Sequence, residues 1–219
     1  MNKLIDWQFA WKILPDLLSG AMQTIGITVV GFLMALIGGM VLALLRRSKV
    51  SWASWTAASV VEFIRSTPLL IQVFFLFYVL PEYGITLSAL AAGTLGIGLH
   101  YSCYISEVYR AGFDSVPRGQ WEAAKALSLK KYDAYRQIIF PQMFRNVTPA
   151  LGNYMVAMFK DTPVLSAITV VELMLQAKNA GSQSFRYLEP ITMAGIFFLV
   201  ISLACAALVR KMESRLQLP

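Results

Sequence analysis

The sequence predicts an all-α membrane protein with five transmembrane helices, and three observations carry that prediction. Mean hydropathy is +0.60, with 57% of the residues hydrophobic and only 14% charged, whereas soluble domains carry about 25% charged residues. Several stretches lack Asp, Glu, Lys and Arg over the roughly 20 residues that a bilayer-crossing helix needs. Lysine and arginine also gather in alternate connecting segments, the pattern that sets membrane orientation. The 219 residues would otherwise suit one or two soluble domains, but the composition excludes that class. The two cysteines, Cys103 and Cys205, both lie in apolar runs, which argues for packing positions and against a disulfide framework.

Spans are expected at about 17–45, 56–80, 83–106, 146–171 and 190–209 within one membrane domain covering 1–219. Leu17 to Leu45, Tyr83 to Ser106 and Pro190 to Val209 contain no Asp, Glu, Lys or Arg. Thr56 to Leu80 is apolar except for Glu62 and Arg65, and Asn146 to Val171 except for Lys160 and Asp161. Gly26, Gly31, Gly38, Gly39, Gly93, Gly96 and Gly98 suit close helix packing in lipid; for any one of them, simple tolerance is the equal alternative. Asp6, Lys12 and Asp16 near the start do not fit a cleavable leader, so the first span is expected to act as the insertion signal.

Orientation follows from the basic residues. Arg46, Arg47 and Lys49 follow span one; Arg110, Arg118, Lys125, Lys130, Lys131, Arg136 and Arg145 lie between spans three and four; Arg210, Lys211 and Arg215 follow span five. The other side has Lys3, Lys12, Lys178 and Arg186. The N-terminus is therefore expected outside and the C-terminus inside. The net charge of +7 is mostly this topology signal, which leaves nucleic-acid binding without support.

The loop 113–145 is then cytoplasmic. Pro117 suits the first turn of a helix, and Glu122 near its start suits the positive end of the dipole. Trp121, Ala124 and Leu127 share one face, a turn is expected near Ser128, and Pro141 is expected to break the second helix before span four. The small Ala123 and Ala124 permit docking in a partner's groove; a helix lying on the membrane surface fits the same residues.

Glu122-Ala123-Ala124 followed by Ile139-Phe140-Pro141 resembles the EAA loop of ATP-binding-cassette importer permeases. Ser128 stands where that pattern has glycine, and Phe140 where it has leucine. "VEFIRSTPLLIQVFFLFYVLP", "EVYRAGFDSVPRGQWEAA" and "ALGNYMVAMFKDTPVLSAI" are similar to the polar amino acid uptake subfamily. "WQFAWKILPDLL" and "SFRYLEP" look most like its ectoine and hydroxyectoine permeases. The resemblance implies a type I importer permease fold with a cytoplasmic coupling helix, in the bacterial inner membrane. It implies two similar or identical permeases, a cytoplasmic ATPase dimer docked on the loops, and a periplasmic solute-binding protein. Coupling would then fall to Gly119, Trp121, Glu122, Ala123, Ala124, Leu127 and Ser128. No cofactor is expected on this chain, which has no Gly-x-x-x-x-Gly-Lys-Ser/Thr loop; ATP–Mg would sit on the ATPase.

Lys160 and Asp161 are the charges most informative about function, because charge inside a span is expensive and usually has a role. Adjacent helix residues do not face each other, so each needs its own partner. Pro163, after Thr162, frees the carbonyl of Phe159. These four residues suit a gate or a contact for a zwitterionic solute; a structural ion pair with another span or subunit is the alternative. Glu62 with Arg65, and Glu107 with Arg110, are spaced to pair along a helix and suggest ion pairs at the inner mouth. His100, the single histidine, is expected to be packed and hydrogen-bonded, and Phe74, Phe75, Phe77 and Tyr78 to face lipid or neighbouring helices. The similarity of "RSTPLL" to "KDTPVL" is taken as chance. The competing classes are a secondary carrier or channel, which would need no ATPase, and an intramembrane protease, which one histidine cannot equip as a metal site.

Overall fold

The structure, a computed structural model, describes residues 5–216, with Arg215 and Leu216 described by backbone alone. Lys3 lies outside the described residues, as does the side chain of Arg215. The described residues are almost wholly helical: α1 (Trp7–Arg46), α2 (Ser51–Arg65), α3 (Leu69–Phe74), α4 (Ala89–Asp114), α5 (Arg118–Ala126), α6 (Lys131–Ala134), α7 (Phe140–Asp161), α8 (Leu173–Ser184) and α9 (Leu188–Leu216). Two π-helical turns, 75–79 and 135–139, continue α3 and join α6 to α7, and a 3-10 stretch covers 162–168.

The centre of the chain is α4. Ile97, Tyr101, Ile105, Tyr109 and Phe113 form a buried ridge at four-residue spacing, held mainly by α1 on one side and α7 on another. Glycine is required where α1 crosses α4: a Cβ on Gly39 would stand 2.7 Å from Ile105 Cγ2 and 3.0 Å from the Ser102 carbonyl oxygen. Gly26, by contrast, has open space. The outer faces of α1 and α9 carry exposed Leu33, Ile37, Leu199 and Leu203, an apolar surface that only lipid or another membrane subunit covers comfortably.

By length and apolarity, α1 and α9 can each cross a membrane, and up to four crossings result if each of two bent helix pairs counts as one. The helix α4 is less apolar than these, for a physical reason: wrapped by other helices, it accommodates His100, Ser102 and Ser106 against protein rather than lipid.

Several helices differ from the expected spans. Asp6 caps α1 by accepting from the amides of Gln8 and Phe9, so the helix starts ten residues before Leu17 and runs about 60 Å at 1.5 Å per residue. The second span is not one rod: it turns by 105° between Arg65 and Leu69, because Pro68 is extended (φ −63°, ψ 139°) and disfavours helix in the residue before it. Gly84 in the left-handed region (φ 81°) and the Ser88 cap, accepting from the Ala91 amide, move the third helix to 89–114. Pro141 does not break the helix before span four; the chain is helical from Lys131 to Asp161. A π turn at 135–139, closed by the Phe140 amide on Tyr135 O, precedes the proline, and π turn 75–79 likewise precedes Pro81. The fourth helix ends at Asp161, and α8, capped by Glu172 through the amides of Met174 and Leu175, occupies a segment expected to be loop.

Candidate functional site

Pro68 marks a bend and Pro163 follows a helix end. Each proline frees the carbonyl four residues back, and in each case a side chain takes it up. Gln72 Nε2 donates to Ile64 O at 2.7 Å, with Thr67 O and Thr67 Oγ1 at 3.0 and 2.8 Å. Thr162 Oγ1 donates to Phe159 O at 2.7 Å. The segments following these prolines, α3 and 162–168, pack against each other, so both copies of the six-residue similarity read as chance mark breaks in the chain.

With its amide nitrogen engaged, Gln72 turns its carbonyl to His100 Nδ1 at 3.0 Å. That contact places the proton on Nδ1 and leaves Nε2 as an acceptor. His100 is buried and hydrogen-bonded as expected. Its ring lies 5.0 Å from Tyr104, which lies 6.0 Å from Tyr154. Tyr101 OH donates to Asp161 Oδ2 at 2.6 Å. Lys160 is exposed and, among the described residues, makes no hydrogen bond or ion pair, with Asp161 or any other group. Sequence reasoning missed Gln72, Tyr101, Tyr104 and Tyr154. The available signal was Tyr101 and Tyr104 at i, i+3 beside the single histidine.

At the basic end of the bundle Glu107 is shared. It pairs with Arg46, with Arg110 at 2.9 Å and with Arg65 at 3.6 Å. Asp114 adds Arg47 at 2.6 Å and Arg110 at 3.7 Å. Burial raises the Glu107 carboxyl, but hydrogen bonds from Arg46 and Arg110 outweigh it and hold the pKa below the ordinary value. The expected Glu62–Arg65 pair is absent: Glu62 is exposed and in no ion pair among the described residues. Arg65 instead leans over the Tyr104 ring at 5.3 Å, toward a carboxylate on another helix.

Beyond this cluster, α5 stands on the π turn. Trp121 packs edge-on against Tyr135 at 5.4 Å, and Ala124 is turned inward at 4% exposure. The expected stripe of Trp121, Ala124 and Leu127 is therefore split, since Leu127 is 70% exposed. Glu122 and Ala123 are also exposed, and Gly119 has open space around it. Pro117 is the N-cap rather than a first-turn residue, and Glu122 falls in the second turn, where the helix dipole acts weakly. Ser128 has φ 51°, the left-handed geometry that glycine takes without penalty. Around it the Leu129 amide donates to Ala124 O at 3.1 Å and the Ser128 amide to Lys125 O at 2.9 Å, a complete Schellman cap.

Among the described residues no cluster of side chains could hold a metal ion. The arrangement offers a polar, tyrosine-lined cluster between helix breaks, a collar of ion pairs, and a capped helix with one face unburied.

Comparison with known proteins places this arrangement. A probable amino-acid ABC transporter permease of Sinorhizobium fredii is 48% identical over 208 residues, covering 95% of this chain and 90% of that protein. The glutamine transport system permease GlnP of Escherichia coli is 32% identical over 219 residues, covering 97% and 98%. A solved amino acid ABC transporter with histidines superposes with a TM-score of 0.91 at 31% identity, covering 97% of this chain and all of that one. The methionine transporter MetNI shares the fold at a TM-score of 0.77 and 15% identity, covering 94% and 99%. The sequence profile of binding-protein-dependent transport system inner membrane components matches residues 29–218, and the chain belongs to that family.

Proposed function

We propose that this chain is the permease subunit of an ATP-driven importer that moves a polar amino acid across the bacterial inner membrane. It forms the pathway and is not an enzyme; ATP–Mg is bound and hydrolysed by the partner ATPase. Five spans, with the N-terminus outside and the C-terminus inside, place the α5 loop and the Glu107 collar in the cytoplasm. A second permease, similar or identical, completes the pathway, and a periplasmic binding protein delivers the solute.

The observation that carries the substrate class is the state of two adjacent charges. Asp161 has one oxygen held by Tyr101, while Lys160 has no partner among the described residues. An unpaired ammonium within an apolar span is unfavourable by several kcal/mol unless water, a ligand or a neighbouring subunit meets it. A zwitterion matches both charges, its carboxylate on Lys160 and its ammonium on Asp161. Thr162 and Pro163 hold the helix end that presents them. Relatives named for glutamine and for L-cystine favour an amino acid over ectoine as that zwitterion. On the coupling side, Leu127, Ala123 and Glu122 form the free face of α5 for the ATPase, with Trp121 and Ala124 as its base, Ser128 as its stop and Gly119 at its exposed start.

The test is uptake in proteoliposomes holding this chain with its ATPase and binding protein, supplied with glutamine, arginine, cystine or ectoine. ATP-dependent uptake of an amino acid is expected. Uptake without the ATPase would instead indicate a carrier, and uptake of ectoine alone would move the substrate class.

A further inference from the structure

At the basic end of α1 a groove of about 980 Å³ opens between α1, the turn before α2 and the start of α6. One wall is apolar, formed by Val41, Leu44 and Leu45, all exposed. Val41 and Leu44 are the last members of a stripe that runs down α1 through Val30, Leu33 and Ile37 at helical spacing, exposed along its length. The groove is thus the end of a surface that faces the bilayer, not an isolated hollow.

The rim has a different character. Lys49 and Lys131 stand on it, and neither is in an ion pair among the described residues. The third rim cation, Arg47, is already committed to Asp114 at 2.6 Å and stacked over Phe113 at 5.1 Å. Among the described residues, no Asp or Glu lines the groove. Tyr132, 69% exposed, and Tyr135 supply amphipathic rings of the kind that settle at headgroup depth. The turn Ser48–Val50 also lines it, and Val50 caps α2 with no side-chain hydrogen bond. The first amides of α2 therefore lack a side-chain acceptor, a secondary attraction for an anion.

We infer that this groove binds the headgroup of an anionic phospholipid, its phosphodiester between Lys49 and Lys131 and its acyl chains along the α1 stripe. Charge complementarity chooses an anion over a zwitterionic headgroup, and continuity with the lipid-facing stripe chooses a membrane lipid over a soluble partner. Basic pockets between membrane helices recognise anionic headgroups in this way, each cation near the surface contributing about fivefold in affinity. The site lies apart from Asp161 and meets the base of α5 at Tyr135, so it acts as an anchor for the α1–α2 turn and the base of the coupling loop.

The test uses the complete complex of this chain with its ATPase in nanodiscs of mixed phosphatidylglycerol and phosphatidylcholine, with retained lipids weighed by native mass spectrometry. Phosphatidylglycerol is expected to be retained in preference. The pair Lys49→Gln with Lys131→Gln is expected to lower that retention by about thirtyfold, whereas Arg210→Gln with Lys211→Gln leaves it unchanged. Equal retention of the two lipids, or full retention in the first pair, would overturn the inference. Independently, with both lysines intact, a photoreactive phenylalanine analogue at Tyr132 should label phosphatidylglycerol. An adduct to the ATPase or to a second permease would overturn the lipid assignment.

Discussion

The docking role proposed for α5, which has one face turned inward, makes a prediction that separates docking from folding. Leu127→Arg and Ala124→Arg place the same bulky charge three residues apart on α5, in opposite environments. Leu127 is 70% exposed in the isolated chain. Fully burying a leucine side chain is worth about 1.5–3 kcal/mol, so burying this exposed share in an ATPase groove contributes roughly 1–2 kcal/mol, or about five- to thirtyfold in affinity. Desolvating the arginine adds to that loss. Ala124 is 4% exposed, so an arginine there overpacks the chain's own contacts at a cost of about 1–3 kcal/mol. The assay measures ATPase retention in a pull-down beside the thermal stability of the purified permease. Leu127→Arg should lose the ATPase while keeping its melting temperature, and Ala124→Arg should lose melting temperature first. Full ATPase retention and normal uptake in Leu127→Arg would refute the docking assignment, as the membrane-surface reading of the helix requires.

Other consequences follow from the packing and the charges. Gly39→Leu should lower the melting temperature, since overpacking costs about 1–3 kcal/mol, whereas Gly26→Ala, in open space, should not; equal effects would remove the close-packing account of the α1–α4 crossing. Ser128→Gly should relieve left-handed strain of about 1–2 kcal/mol, partly offset by a more flexible unfolded chain; hydrogen exchange at the Leu129 amide should slow, and faster exchange would contradict the cap. The depressed carboxyl of Glu107 contributes stability that is fully present above the ordinary glutamate value of about 4.3 and is lost as pH falls through its lower folded value. Glu107 should therefore add a loss of thermal stability below about pH 4, and Glu107→Gln should be less stable at neutral pH with a shallower acid decline; an identical acid profile in the variant would exclude Glu107 as a source of it.

Apolar run length located the long helices but not their ends. Hydropathy measures which part of a helix lipid can cover, and α1 extends beyond its apolar run through Asp16 and Lys12 because Asp6 caps it there. The amphipathic α8 escaped the same measure, since Lys178, Asn179 and Gln183 make its segment look like loop. Pro68 and Pro141 show that one residue type has two outcomes: the first accompanies a 105° bend, while the second follows a π turn inside continuous helix. Ion-pair spacing misled at Glu62, because Arg65 found a better carboxylate on α4 than its neighbour one turn away. Asp161 was legible as a charge inside a span, but its partner Tyr101 lies 60 residues away, and a tyrosine in an apolar run reads as span filler. Ser128 was legible through its resemblance to a glycine position, and its φ of 51° keeps the glycine geometry without the glycine.

The most direct test of the account concerns Asp161 and Lys160 in the intact importer. Asp161→Asn preserves shape and the Tyr101 contact while removing the charge, and hydrogen bonds to charged groups are worth about 1.5–3 kcal/mol. ATP-driven amino acid uptake should fall roughly ten- to a hundredfold, with ATPase assembly and melting temperature unchanged, and Lys160→Gln should do the same. Wild-type uptake in both variants, or loss of the assembled complex in place of uptake, would contradict the claim that these two charges meet the solute.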